Sequence, residues 1–375
     1  RNAVKVCIVG CLIAPTLIYG HRRLGQTPEH VTAGPLVGSV QPNIPSEIKE
    51  SPESGDTILD DLTSAGKACF DAGAEFVAWP ETIVLSSLNS GYVDLCQEGT
   101  RPKIYDRIIS DHTKDTGYVL LGAHSADVDV ATMTITDRYN SAFLYTPAGL
   151  QDPKRYDKMH LVPFGEYIPF KESAPFIYRW ILNLSPYDYD YNLTKGAEFT
   201  TFEMKTDNKK YGFGALICYD DTDPKIARRM VVSDAGAEKA DWLVNISNDG
   251  WYVRYKNEKV LPSVELSQRT AITAFRAVEN RVSIIRSVNT GISCLIDSTG
   301  LIRDGFISGN LPEAAMDRQG VEGWFVDRIA IDDRVTFFSR HGQWLEFLCG
   351  AVITAVVPAA CIDAARRRRS GKADR

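Results

Sequence analysis

The sequence predicts an α/β fold. Short β-rich runs alternate with helical stretches through a polar middle region, and two apolar segments bracket that region. Repeated alternation of this kind lays helices over the faces of sheets.

The first element is the apolar run Val6 to Tyr19. It supplies about two-thirds of the residues a bilayer span needs. Counting outward to Ala3 and Gly20 lengthens it and includes Lys5, which can snorkel. No small-residue cleavage site follows, so it does not read as a signal peptide. Residues 1–23 are expected to form a membrane segment. The chain opens on Arg1 rather than Met, and an upstream portion is expected to be missing.

The middle region, 24–343, carries β-rich runs at Pro35–Val40, Glu75–Trp79, Tyr118–Gly122, Ser141–Tyr145, Gly212–Ile217, Trp242–Ile246, Val282–Ser287 and Ile292–Ile296. Helical stretches fit Thr57–Ala72, Pro224–Ala237 and Pro262–Asn280. In the first, Ile58, Leu59, Leu62 and Ala65 recur at helical spacing, and Gly73 suits its C-terminal stop. Pro224 and Pro262 suit first-turn positions. Pro42–Gly55, rich in Pro, Ser, Glu and Gly, is expected to be a surface loop.

The closing apolar run, Trp344 to Ile362, is long enough to span, with Trp344 at an interface. Pro358 is tolerable in lipid. Four arginines, Arg366 to Arg369, lie in the basic tail 363–375. Positive residues stay cytoplasmic, so the middle region is expected on the other side of the membrane.

Charge and cysteine usage exclude several classes. A net charge of −6 gives no footprint for nucleic acid. The eight cysteines lack metal-ligand spacing and a dense disulfide pattern, although Cys69 and Cys96 could pair.

Three patches could carry chemistry. In the first, the strand Val77–Trp79 runs into Pro80, which cannot continue a ladder, and then Glu81. On its own such a carboxylate is commonly a helix cap or solvated. The second, Tyr156 to Pro169, mixes charge, aromatics and prolines without a period and reads as a long functional loop. It holds Asp157, Lys158, His160 and Glu166, with His160 expected to be structural and bonded to backbone. The third is an apolar strand ending at Cys218, just before the helix at Pro224. Such a junction favours the thiolate, although a strand cysteine is more often a small hydrophobe. Together the patches supply a base, a cation and a nucleophile. Cys218 would attack an acyl carbonyl, Glu81 would carry its proton, and Lys158 would lower the thiol pKa and stabilise the oxyanion.

Glu, Lys and Cys in that chain order resemble the nitrilase (carbon–nitrogen hydrolase) superfamily. The wording is similar to one branch, the bacterial apolipoprotein N-acyltransferases: K-x-H-L-V-P-F-G-E-Y-x-P at Lys158–Pro169, I-C-Y at Ile217–Tyr219 and S-N-D-x-W at Ser247–Trp251. R-A-x-E-N-R at Arg276–Arg281 and N-T-G-I-S at Asn289–Ser293 fit the same pattern.

The resemblance implies a nitrilase-like αββα sandwich flanked by transmembrane helices, on the periplasmic side of a bacterial inner membrane. It implies ping-pong transfer of an acyl chain from a phospholipid, through a thioester, to the amine of a diacylglyceryl apolipoprotein. Glu81, Lys158 and Cys218 carry over as the triad, Glu166 as a second carboxylate, and Tyr219 and Trp251 as site-lining residues. No metal or organic cofactor is implied. An apolar, partly covered acyl pocket is expected, because an amine must outcompete water. Two residues depart from the pattern: Asp220 stands where the branch has Glu, and Val253 where it commonly has Gly. The alternatives are a same-fold amidase acting on small amides and a membrane-anchored binding module without activity.

Overall fold

The computed structural model describes residues 2–49, 51, 53–171, 173–183, 192–206, 209–232, 240–257 and 259–373. In chain order the strands are β1 (Val31–Gln41), β2 (Phe76–Ala78), β3 (Val84–Ser87), β4 (Tyr118–Asp129), β5 (Thr134–Thr146), β6 (Leu150–Asp157), β7 (Thr201–Lys205), β8 (Lys210–Ile217), β9 (Trp242–Ser247), β10 (Arg254–Lys256), β11 (Lys259–Leu261), β12 (Ser283–Val288), β13 (Cys294–Ile296), β14 (Ser308–Gly309) and β15 (Gly323–Asp332). The first sheet runs β14-β15-β1-β2-β4-β5-β6, with β3 also pairing β4. The second runs β13-β12-β9-β8-β7, and β10 and β11 form a separate hairpin.

Side-chain alternation makes the layers. On β2, Phe76 and Ala78 face the second sheet, and Val77 and Trp79 face the outer helices. On β5, Ala142 and Leu144 face inward, and Phe143 and Tyr145 face outward. The Ser54–Asp71 and Arg101–Thr113 helices cover that outer face through Leu59, Leu62, Tyr105 and Ile109. Pro224–Val231 and Glu265–Asn280 pack on the second sheet through Ile226, Met230 and Ala277. The result is the expected α–β–β–α sandwich. Polar stitches cross its centre. Ser287 Oγ donates to the Ala78 carbonyl at 2.9 Å, and Ser39 Oγ to that of Arg286 at 3.1 Å. They satisfy buried carbonyls without opening the core.

All eight expected strands form. Tyr118–Gly122 and Ser141–Tyr145 grow into the long antiparallel pair β4–β5. Several elements went unread in the sequence, among them β6, β7, β15 and the Arg101–Thr113 helix. β6 (LQDPKRYD) is charged and holds Pro153, which its edge position tolerates. β7 is short, β15 hides its alternation behind charges, and Arg101–Thr113 is mostly polar. Pro262 is corrected: the last middle helix begins at Glu265, so Pro262 precedes it. Pro224 does occupy the first turn, with Asp223 accepting from the Lys225 amide at 2.8 Å. That helix ends at Val231, where Val232 turns extended as its C-cap, short of the expected Ala237; residues 233–237 lie outside the described residues. Gly73 stops the Ser54–Asp71 helix with φ +91°. The expected loop Pro42–Gly55 contains a helical turn, Ser46–Lys49. Cys69 and Cys96 are both free thiols.

Both ends are helical, Asn2–Gly25 and Trp344–Ala373. Among the described residues one helix is long and apolar enough to cross a bilayer, Trp344–Ala364, with a mean hydropathy of 2.1 and no part buried by the fold. The Asn2–Gly25 helix, expected to span as well, carries Lys5, His21, Arg22 and Arg23 and falls short of that mark.

Candidate active site

The central strands of both sheets are parallel, and their carboxyl ends open on one place. Such ends expose unpaired backbone and turn into loops, which is where α/β folds gather reactive groups. Glu81 lies three residues past β2, Cys218 directly follows β8, and Asn248 directly follows β9. Lys158 follows β6, and its amide donates to the Asn140 carbonyl on β5 at 2.8 Å.

The acidic side is a buried ion cluster. Lys158 Nζ is 2.9 Å from Glu81 Oε1 and 2.9 Å from Glu166 Oε1. Asn140 Nδ2 donates to the same two oxygens at 2.7 and 2.9 Å. The Asn248 amide donates to Glu81 Oε2 and the Val162 amide to Glu166 Oε2, both at 2.8 Å. Burial works against the Glu81 charge, but Lys158 and Asn140 outweigh it and lower the carboxyl pKa. Burial likewise works against the Lys158 ammonium, but Glu81 and its neighbours raise it. Lys49, from the Ser46–Lys49 turn, donates to the Glu81 carbonyl at 3.3 Å and to Thr82 Oγ1 at 2.8 Å. Thr82 has φ +44°. The turn presses on β4 at Gly122, where an added Cβ would sit 2.6 Å from the Glu81 Cα and the Pro80 oxygen.

The sulfur side is also strained. Cys218 has φ +44°, an uncommon backbone for a residue with a Cβ, at the start of the Cys218–Thr222 turn. Asp220 holds that turn. Its carboxylate accepts from the Ile217 amide at 3.0 Å and the Tyr156 hydroxyl at 2.8 Å, and from the Met159 and His160 amides at 3.1 and 2.7 Å. One side chain therefore ties the cysteine turn to the lysine loop. Burial pushes its carboxyl up to about 7, against Lys158 and the amide donors. Burial also pushes the Cys218 thiol up to about 12, Glu81 adds to the rise, and Lys158 and Arg269 oppose it.

The structure thus brings Glu81, Lys158, Glu166 and Cys218 to one place. Tyr219 is half-buried beside them, its ring 4.6 Å from that of His160. Trp251 lies in the Asp249–Tyr252 turn and is 73 % exposed. His160 differs from expectation: its ring nitrogen meets Thr222 Oγ1 at 3.2 Å instead of a backbone group. The expected acyl pocket is not among three surface cavities, at Asn43 and Tyr255, at Arg155 and Phe199, and at Leu59 and Tyr105. Cys218 itself is 6 % exposed. Sequence reading missed Asn140, Lys49, Asn248 and Arg269. Asn248 had a signal, its place in the S-N-D-x-W motif at Ser247–Trp251, and the others had none.

The carbon–nitrogen hydrolase family matches residues 36–306, and the chain belongs to it. An apolipoprotein N-acyltransferase of Geobacter metallireducens is 29 % identical over 359 residues, covering 94 % of this chain and 59 % of that protein. One from Bdellovibrio bacteriovorus is 28 % identical over 295 residues, covering 78 % of this chain and 47 % of that protein. The chain thus spans about half the length of the curated relatives it matches. An amidase from Nesterenkonia sp. superposes with a TM-score of 0.50 at 15 % identity, covering 83 % of this chain and 97 % of that one, which speaks to the fold.

Proposed function

We propose that the chain transfers an acyl chain from a phospholipid to the N-terminal amine of a diacylglyceryl apolipoprotein. Glu81, Lys158 and Cys218 act as the triad, with Glu166 as the supporting carboxylate and Tyr219 and Trp251 lining the site. The observation that carries this reading is the buried Lys158 held at 2.9 Å by two carboxylates at the mouth of the cysteine strand. The similarity to curated N-acyltransferases directs it toward lipid.

At rest the pair is a thiol and a carboxylate, from the directions of their pKa shifts. Glu81 takes the thiol proton as Sγ attacks the ester carbonyl. The S–C bond forms, the C–O bond breaks, and Glu81 returns the proton to the departing lysophospholipid oxygen. The lipoprotein amine then attacks the thioester. Its proton passes through Glu81 to the sulfur, restoring the thiol. Lys158 stays charged and steadies the oxyanion in both halves. A sulfur this enclosed disfavours water, which helps aminolysis over hydrolysis.

The helix Trp344–Ala364 tethers the 24–343 catalytic unit to the bilayer, where both substrates reside. The N-terminal helix adds a second, shorter contact with the membrane. On this reading the far end lies in the cytoplasm and the catalytic unit in the periplasm of a bacterial inner membrane, which the basic stretch 366–369 supports.

The test supplies detergent-solubilised protein with acyl-labelled phospholipid, with and without a diacylated lipopeptide. Label on Cys218 that moves to the lipopeptide is the expected result, and Cys218→Ala should abolish both. Ammonia release from small amides without lipid use would replace this reading with an amidase. Full labelling of Cys218→Ala would remove the nucleophile.

A further inference from the structure

The proposed chemistry draws its charge on the sulfur from Lys158 alone. A second cation also lies beside the sulfur. Arg269, on the Glu265–Asn280 helix, is 3 % exposed. Its Nη2 donates to the Cys218 carbonyl at 2.9 Å and lies 3.9 Å from Cys218 Sγ, within reach of an N–H···S hydrogen bond. The guanidinium also meets Asp221 Oδ1 at 2.9 Å, and its Nε is 4.0 Å from Asp249 Oδ1.

Those two carboxylates are shared with other donors. Thr273 donates to Asp221 at 2.7 Å. Ser247 donates to Asp249 at 2.8 Å, and Arg286 is 3.0 Å from its other oxygen. Ion pairing to Asp221 alone would not require Arg269 to touch the cysteine turn. Yet the same Nη2 grips the carbonyl of the one residue in that turn with positive φ.

Resting on the assignment of Cys218 as nucleophile, we propose that Arg269 is a catalytic cation of this site, fixing the strained Cys218 turn through its carbonyl and stabilising the thiolate at Sγ alongside Lys158. As Glu81 takes the thiol proton, negative charge gathers on the sulfur. Arg269 gives up no proton, and its N–H turns from a weak contact into a charge-assisted one. When the thioester forms, that charge passes to the ester oxygen and leaves with the alcohol, protonated from Glu81. The charged groups around the sulfur are Glu81 after β2, Lys158 after β6, Asp249 after β9 and Arg269 on the helix, with Tyr252 adding a phenol. Lys158 and Arg269 favour the thiolate, and Glu81 and Asp249 oppose it.

The test is the pH profile of iodoacetamide alkylation at Cys218, followed by peptide-resolved mass spectrometry on the full chain in detergent. Arg269→Gln should move the midpoint up by about one unit, which is about tenfold slower alkylation at any pH below it. Arg269→Lys should recover the wild-type profile to within about threefold, since it keeps the charge. Because Arg269→Gln leaves Asp221 short of a partner, Arg269→Gln with Asp221→Asn removes both buried charges together and keeps the test readable if the single variant unfolds. A purely structural arginine would lower the melting temperature and leave the midpoint in place. A folded single or double variant whose profile superimposes on wild type overturns the proposal. That failure is distinct from failure of the function itself, which would show as acyl transfer persisting in Cys218→Ala.

Discussion

Two ion clusters meet at this site, and they are built differently. The cluster at the carboxyl end of the first sheet sets one ammonium, Lys158, against two carboxylates, Glu81 and Glu166. The cluster behind the cysteine sets two guanidiniums, Arg269 and Arg286, against two carboxylates, Asp221 and Asp249. Among direct contacts the first carries a surplus negative charge and the second is balanced. A base needs a carboxylate that its partners have not fully neutralised. A nucleophile about to become an anion needs positive charge nearby with no surplus carboxylate around it. That count matches the proposed roles, a base on the first sheet's side and a nucleophile on the second's.

Breaking the first cluster should have the largest effect. Lys158→Ala leaves Glu81 and Glu166 buried without their cation, and losing one partner of a buried pair costs about 3–5 kcal/mol. Denaturant unfolding should report that loss, and acyl labelling of Cys218 should fall nearly to background. A Lys158→Ala variant with wild-type stability would mean that the carboxylates find another cation, such as Lys49, which already donates to the Glu81 carbonyl.

Glu81→Gln separates charge from shape in the same cluster. Labelling should drop almost as far as in Lys158→Ala, with a smaller loss of stability. The pH dependence gives the sharper reading. The folded Glu81 pKa lies below its ordinary 4.5, so its contribution is present above that value and lost as pH falls through the folded one. The Lys158 pKa lies above its ordinary 10.5, so its contribution is present below that value and lost as pH rises through the folded one. The pair therefore stabilises fully between those two limits. Glu81→Gln should flatten the acid limb of a stability–pH curve. An acid limb unchanged from wild type would place the acid sensitivity elsewhere.

How far the site could be read from the chain depends on where each residue sits. Glu81, Lys158 and Cys218 stand at breaks in pattern: a proline after a strand, an aperiodic loop, and a strand ending before a helix. Asn140 stands inside β5 with no local mark. Only the β5–β6 register, with Ser141 opposite Asp157, brings it beside Lys158. Arg269 reads as one more charge on an amphipathic helix, and only the packing of that helix buries it against the cysteine turn. Asp220 departs from the resembled pattern, yet it joins two of the three patches through four donors. The fold was legible wherever one face was apolar. It was illegible in β6 and β15, where charges interrupt the alternation and edge position or pairing decides.

Gly122→Ala tests the cluster without touching a charge. The new Cβ would press on the Glu81 backbone at 2.6 Å, and neither backbone can yield easily. Overpacking of this kind costs roughly 1–3 kcal/mol. Displacement of Glu81 should lower acyl labelling about tenfold, with the pH midpoint of Cys218 alkylation moved less than in Arg269→Gln. Retained activity would show that the turn tolerates a shift, and that the Asn248 amide suffices to place the carboxylate.

Trp251→Ala should have the smallest effect on the protein itself. The side chain is 73 % exposed on the Asp249–Tyr252 turn, so it contributes little buried area, and its removal should change stability by no more than about 0.5 kcal/mol. Its turn, however, is fastened to both clusters. The Asn248 amide bonds Glu81 on one side of it, and Asp249 pairs with Arg286 and approaches Arg269 on the other. An exposed indole on so constrained a turn suits contact with a lipid chain better than packing. The expected outcome is a raised KM for the phospholipid donor with kcat and the alkylation profile of Cys218 unchanged. If kcat falls and KM holds, Trp251 acts through the turn and belongs with the ion clusters instead of the substrate.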